Sequence, residues 1–153
     1  MTQVGVDAQK VEGSWTWKAE LVNRSFSDKS FQVGAGGFEH TEYHFLDTPS
    51  DLVFYLEYLF DSRGKGSTLP FQNDVFLGIK FNANDVDDLS LLGGVFYDLD
   101  YASKTINFRL ERRFDNNWKW IVDCNLYSEI AAGDISYSLR GDNQIRLKAI
   151  QYF

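Results

Sequence analysis

Residues 52–61 decide the fold of this chain, because two kinds of side chain alternate along them without interruption. One face carries only apolar and aromatic side chains, namely Leu52, Phe54, Leu56, Tyr58 and Phe60. The opposite face mixes apolar and acidic side chains, namely Val53, Tyr55, Glu57, Leu59 and Asp61. A period of two is typical of a β-strand whose faces meet different surroundings. The stretch therefore predicts a long β-strand.

The same alternation recurs along the chain. It is clear in five further segments, residues 15–24, 75–84, 105–114, 118–127 and 144–153. It is weaker in residues 2–11, 31–45 and 90–101, and the glycine-rich run at 34–37 leaves the phase of the second of these open. No segment shows a clear helical period. The sequence therefore predicts an all-β fold, an antiparallel up-and-down β-barrel of about eight or nine strands.

The composition favours a single β-domain. The chain of 153 residues contains 13 Phe, 8 Tyr and 4 Trp, which favours strands over a helical bundle or a disordered chain. Residues 1–153 are enough for one domain with a sizeable core and leave no room for a second. The net charge of -7 and the absence of a basic run oppose nucleic-acid binding. Cys124 is the only cysteine, so no internal disulfide can form.

Two architectures share this alternation. In a soluble antiparallel barrel or sandwich, the apolar face is enclosed, the charged face meets water, and a small apolar ligand would bind inside. In an outer-membrane barrel the phase is inverted, so that the apolar face meets lipid and the polar face lines a lumen. The N-terminus has no basic region followed by an apolar one, so no secretory signal is visible in this chain.

Three features favour the membrane architecture. Several segments sustain the alternation over the length of a membrane-spanning strand, about 9 to 11 residues. Aromatic residues cluster at the segment ends, as interface girdles require; those assigned to this role are Trp15, Trp17, Tyr58, Trp118, Tyr152 and Phe153. The connections also alternate between long ones, at 23–30, 61–74, 100–104 and 128–143, and short ones, at 12–14, 47–51, 85–88 and 115–117. Long outer loops and short periplasmic turns are typical of bacterial outer-membrane barrels.

A resemblance supports the same architecture. Residues 144–153, QIRLKAIQYF, resemble the terminal strand of bacterial outer-membrane β-barrel proteins, which ends in an aromatic residue, usually Phe. Wider stretches resemble a family of uncharacterised proteobacterial outer-membrane proteins; they are residues 15–20, 36–39, 56–64, 70–78 and 93–100. The resemblance implies a location in the bacterial outer membrane, with its lipids and the barrel-assembly machinery as partners. It also implies that Tyr152 and Phe153 serve as the assembly signal.

The strand number adds an expectation about completeness. Single-chain bacterial barrels have an even number of strands, whereas this chain has about nine. Members of the resembled family are larger, and the matching segments fall in their C-terminal part. We therefore expect the C-terminal part of a larger barrel. Because open strand edges are not tolerated in lipid, the chain alone should close imperfectly as eight strands, associate with itself or fail to insert.

Charged side chains concentrate on the face predicted to be polar. Those assigned to a lumen or constriction are Glu57, Lys80, Arg109, Glu111, Arg113, Lys119, Asp123 and Arg146. The densest group is Arg109, Glu111 and Arg113 with Lys119 and Asp123. On adjacent strands such residues form cross-strand ion pairs or line a constriction that selects solutes.

Metal and catalytic chemistry have little support. His40 and His44 are the main metal-capable side chains, but two positions four apart on one strand lie about 13 Å apart, too far for one metal. Neither histidine lies in a recognisable motif with a nucleophile. We therefore expect no catalytic residue, metal or cofactor. The sequence predicts a porin-like passive pore or a structural membrane protein without enzymatic activity.

Overall fold

The computed structural model describes residues 1–26, 29–115 and 117–153, which form one antiparallel sheet of nine strands. The strands are β1 (Thr2–Glu12), β2 (Trp15–Phe26), β3 (Lys29–Glu42), β4 (Asp51–Asp61), β5 (Asn73–Asn82), β6 (Ser90–Asp98), β7 (Lys104–Arg113), β8 (Trp118–Ser128) and β9 (Gln144–Gln151). Each strand pairs with the next one in the chain. The predicted all-β, up-and-down antiparallel topology is confirmed. Within the described residues the sheet is not closed, because β1 and β9 are both edge strands.

The connections lie at two ends of the sheet. The turn end carries residues 13–14, 43–50 and 83–89 and the connection between β7 and β8, and the loop end carries the connection between β2 and β3 and residues 62–72, 99–103 and 129–143. At the turn end, Gly13 has φ 60°, which allows the tight connection between β1 and β2. Short 3-10 segments lie at Phe45–Asp47, Gly64–Gly66 and Ile135–Leu139.

Two of the predicted connections are wrong. A long loop over residues 23–30 is not formed, because Asn23 pairs with both Val4 of β1 and Gln32 of β3. Polar side chains there are compatible with a strand because their backbone groups are satisfied by the ladder. Residues 27 and 28 lie outside the described residues. The connection predicted as short at 47–51 runs instead over residues 43–50. The loop end is therefore long only at 62–72 and 129–143.

The register joins the strands into two continuous faces. The apolar face contains one row of directly paired residues from β3 to β9, namely His40, Phe54, Ile79, Gly93, Phe108, Cys124 and Ile145. The polar face contains a row from β5 to β9, namely Lys80, Leu92, Arg109, Asp123 and Arg146. In β3, Gly34 pairs with Leu21, which places Gly34 on the apolar face and fixes the phase that the sequence leaves open.

On β7 and β8, two charged side chains are less exposed than two apolar ones on the opposite face. The side chains of Lys119 and Glu111 on the polar face are 19% and 23% exposed. The apolar-face residues Trp120 and Phe108 are 39% and 41% exposed. The buried apolar residues are only Val53, Ile121 and Ile130 in the described part of the chain, and none of the large side chains there is fully buried. The sheet thus has no closed hydrophobic core of its own.

Candidate functional site on the polar face

Four of the residues predicted to line a lumen form one ion network on β7 and β8. Glu111 accepts hydrogen bonds from Arg109 Nε and from Lys119 Nζ, the latter at 2.5 Å. Arg109 Nη1 donates to Asp123 Oδ1 at 3.3 Å. The register explains the network, because Arg109 is paired directly with Asp123 and Glu111 lies two residues further on the same face. Four of the five residues of the densest predicted cluster are therefore brought together, and Arg113 is not.

The other predicted lumen residues are spread over the same face. Arg113 Nε lies 3.6 Å from Asp88 Oδ2, outside the network. Arg146 is paired in register with Asp123, but no acidic side chain of the described residues lies within ion-pair distance of Arg146. Glu57 of β4 lines the same cavity as Lys18 of β2. The ion pair of Lys18 is formed with Glu39 of β3. The polar face thus combines paired charges with unpaired ones.

A cavity of about 530 Å³ surrounds Lys80. It is lined from β4 to β7, and its polar side chains are Tyr55, Lys80, Asn82, Ser90, Arg109 and Glu111, with Asp88 from the turn end. Ser90 Oγ donates to Asn82 Oδ1 at 3.1 Å. Sequence reasoning assigned no role to Tyr55, Asn82 or Ser90. The alternation already places Asn82 beside Lys80, but its contact with Ser90 depends on the register between β5 and β6.

A second cavity of about 260 Å³ lies on the β1–β4 half of the polar face. Four carboxylates line it, from Asp7, Glu20, Glu39 and Glu57, together with Lys18. The Lys18 ammonium is bonded to Glu39. Tyr55 borders both this cavity and the one around Lys80. The two halves of the polar face therefore differ in charge on either side of Tyr55.

The connection over residues 62–72 folds back over the polar face at the loop end. Phe71 stacks on Phe96 of the polar face with ring centroids 4.6 Å apart, and Phe96 packs on Phe76 at 4.5 Å. Leu69 and Phe71 share a small cavity with Val22 and other apolar residues of the same face. Because this part of the polar face is apolar, it is covered by the loop instead of by water.

Buried polar side chains anchor this loop. Gln72 is 4% exposed, and its side-chain nitrogen donates to Asp98 Oδ2 at 2.7 Å. The carboxylate of Asp61 accepts hydrogen bonds from Arg63 and, at 2.8 Å, from Ser67 Oγ. These residues lie beyond the paired residues Tyr58, Val75 and Tyr97, on the side of the loop end. The loop is thus held by hydrogen bonds as well as by aromatic stacking.

Two aspartates of this end have opposite electrostatic environments. The hydrogen bond from the Arg63 guanidinium lowers the pKa of Asp61 to about 2. Burial, together with the nearby carboxylates of Asp98 and Asp134, raises the pKa of Asp74 to about 6. Asp74 is 3% exposed, so water can do little to relieve the repulsion. No signal in the sequence predicted this cluster, because it depends on the register that pairs Asp74 with Asp98 and on the packing of the connection that carries Asp134.

The residues assigned to a membrane interface lie at both ends of the sheet. Trp15 and Trp17 stack on the apolar face beside the turn between β1 and β2, with ring centroids 5.9 Å apart. Trp118 begins β8 at the same end of the sheet. Tyr58, near the loop end, donates to Asn73 Oδ1 at 2.9 Å. The sheet thus carries aromatic side chains near each end.

The C-terminal aromatic pair differs from the expected strand. β9 ends at Gln151, so Tyr152 and Phe153 follow the strand instead of completing it. The backbone of Tyr152 still donates to Asn117 O at 2.8 Å. Its ring lies 5.9 Å from the Arg113 guanidinium, next to the polar face, whereas Phe153 is fully exposed.

The two histidines do not share a strand, which corrects the arrangement that the sequence predicts. β3 ends at Glu42, and His44 lies in the following connection with φ 55°. The ring of His40 packs 4.3 Å from that of Trp15. Among the described residues, no group of three or more His, Cys, Asp and Glu side chains is arranged to hold a metal.

Comparisons with protein families, with curated proteins and with solved structures find no match to this chain. In the part of the chain that the structure describes, no helix has both the length and the apolar character needed to cross a bilayer.

Proposed function

We propose that this chain is a wall of a bacterial outer-membrane β-barrel, with its apolar face against lipid and its polar face towards a lumen. The barrel would act as a passive, porin-like pore or as a structural membrane protein, without catalysis. The observation that carries the proposal is the widely exposed apolar face, together with the partial enclosure of charged side chains on β7 and β8 of the opposite face. Charged side chains such as that of Lys119 are more enclosed than the apolar residues beside them.

The extent of the apolar face supports the proposal. Phe54 is 42% exposed, Phe108 41%, Trp120 39% and Leu147 64%, and they belong to four different strands of the same face. Soluble monomers rarely expose a contiguous apolar surface on this scale. A lipid environment would cover all of these side chains at once, and strands of this length would cross it when tilted.

The distribution of aromatic and charged groups also supports it. Trp15 and Trp17 at the turn end and Tyr58 at the loop end bracket an aliphatic zone that includes Leu77 and Ile106. Amphipathic aromatic rings favour the two membrane interfaces. The ion network of Arg109, Glu111 and Asp123 lies on the opposite face, where a water-filled lumen would solvate it.

The first test is whether the fold depends on an amphiphile. We expect the purified chain to aggregate in detergent-free buffer, to gain a β-sheet circular dichroism signal in micelles, and to migrate differently in SDS gels before and after boiling. A monodisperse, folded chain in plain buffer would contradict the proposal. The alternative, a soluble barrel or sandwich that binds an apolar ligand, requires that result.

A second test asks which face meets lipid. A spin label or fluorophore on a cysteine at Leu147 should be quenched by a lipid-soluble quencher, and the same label at Arg146 by a water-soluble one. Both variants use the Cys124→Ala background, so that only the introduced thiol reacts. Equal quenching of the two neighbouring positions by the lipid-soluble agent would contradict the orientation that we propose.

A further inference from the structure

We propose that the cavity around Lys80 is a binding site for a small anionic solute that carries a carboxylate or phosphate group. The groups that would hold it are Lys80 Nζ, Arg109 Nη2 and Asn82 Nδ2, which belong to β5 and β7. The inference rests on the proposed function for access to the site from a lumen. Binding itself requires only that the polar face is formed.

The β5–β9 half of the polar face has an excess of positive charge. Its basic residues are Lys80, Arg109, Arg113, Lys119, Arg146 and Lys148. Its acidic residues are Glu111 and Asp123, apart from Asp74 and Asp98, which are buried at the loop end. Because the chain as a whole has a net charge of -7, this excess does not follow from composition.

The acidic residues of this half are already engaged. Glu111 accepts from both Arg109 and Lys119, and Asp123 accepts from Arg109. Asp88, which also lines the cavity, lies 3.6 Å from Arg113. Lys80 has no acidic partner within 4.0 Å and no hydrogen-bond acceptor among the residues that the structure describes. The Lys80 ammonium is therefore available to bind an anion.

The neighbouring donors are arranged around the same space. Lys80 and Arg109 are in one row of the register, separated by Leu92, so their Cα atoms are about 10 Å apart, within reach of two long side chains. Arg109 uses Nε and Nη1 for carboxylates of the chain, which leaves Nη2 for another acceptor. An ammonium and a guanidinium nitrogen together favour a carboxylate or phosphate oxygen.

The contact between Ser90 and Asn82 sets the third donor. Ser90 Oγ donates to Asn82 Oδ1, so the amide oxygen is occupied. The amide nitrogen of Asn82 donates to no other group in the described part of the chain, and it lines the same cavity. Donors without acceptors are what an anion site needs, whereas a cation site needs free oxygen atoms.

The test is isothermal titration calorimetry on the full chain, in non-ionic micelles and separately in detergent-free buffer, with inorganic phosphate and succinate as probes. We expect at least one probe to bind the unmodified chain, and the probe that binds identifies the anionic group. Lys80→Gln should weaken binding about tenfold, since it removes a charged donor. Lys80→Arg should retain it, and Lys10→Gln, which removes a charge at the far edge of the sheet, should have no effect.

Two results would overturn the inference. They are no measurable binding of either probe by the unmodified, folded chain, and equal affinity of the Lys80→Gln and Lys10→Gln variants. Arg109→Lys provides a second variant that keeps the charge but loses Nη2, and we expect it to weaken binding as well. If the chain folds and binds only without detergent, the membrane function fails while the site stands. If it folds in micelles but binds nothing, the site fails alone.

Discussion

The two faces of the sheet differ in how their side chains are covered and satisfied. On the apolar face, neighbouring strands contribute similar side chains, and the face is continuous but covered by nothing within the described residues. On the polar face, charges such as Arg109 and Glu111 satisfy one another, and a loop covers the apolar part near Phe96. The polar face is therefore organised by the chain itself, whereas the apolar face depends on its surroundings.

The largest effect is expected from a charge on the apolar face. Phe108→Lys should destabilise the membrane-inserted fold by about 2 to 4 kcal/mol, because an ammonium at the middle of a bilayer is poorly solvated. Asn107→Lys is the matched control, since the neighbouring position lies on the polar face. Denaturant titrations of both variants in lipid vesicles, followed by boiling-dependent gel migration, measure the difference. Equal losses for the two variants would mean that the faces are not distinguished by lipid.

A smaller effect is expected from Asp74 at the buried end of the polar face. Its pKa of about 6 lies above the unfolded value of about 4, so stability should fall as pH rises through this interval. Asp74→Asn should remove the penalty and stabilise the fold at neutral pH by about 2 to 3 kcal/mol. Denaturant midpoints at about pH 7.5 and about pH 4.5 measure this.

Asp61 supplies the control with the opposite sign. Because its pKa is lowered to about 2, it contributes stability above about pH 4 that is lost as pH falls towards 2. Asp61→Asn should therefore destabilise the fold at neutral pH, where Asp74→Asn stabilises it. Asp61 is paired with a guanidinium, whereas Asp74 lies beside other carboxylates. If both variants moved the denaturant midpoint in the same direction, this distinction between the two carboxylates would be wrong.

The smallest effect is expected from the ion network. Glu111→Gln should cost about 1 kcal/mol, since partly enclosed ion pairs with Arg109 and Lys119 are lost. Glu12→Gln, which removes the exposed pair with Lys10, should be close to neutral. Midpoints of denaturation at low and high salt compare the two. A loss at Glu12 as large as that at Glu111 would show that enclosure on the polar face adds nothing.

The alternation of side chains made most of the fold predictable. When the two faces of a strand differ in polarity, the alternation shows where the strand begins and ends and which side chains share a face. Residues 52–61 and 105–114 therefore nearly match β4 and β7. The end of β2 was missed because Asn23, Arg24 and Ser25 read as a loop, although their backbones pair on both sides. The openness of the sheet was also outside the reach of local patterns, since closure depends on the relation between the first and last strands.

The candidate site was predictable in part. Charges with one parity on adjacent strands predicted the network around Arg109, because a register shift of two residues still leaves them within reach of each other. The cavity around Lys80 was not predictable, because Tyr55, Asn82 and Ser90 come together only through the exact register of three strands. The hydrogen bond from Gln72 to Asp98 depends on the conformation of a loop, and a loop sequence has no hydrophobic period from which that conformation could be predicted.

The number of strands has a geometric consequence for completing the sheet. In an antiparallel meander direction reverses at every step, so β1 and β9, eight steps apart, point the same way. Joining these two edges directly would require a parallel ladder with slanted hydrogen bonds. A fully antiparallel closure would require an odd number of further strands between them. The directions of the two edge strands thus limit which further strands can close the sheet into a barrel.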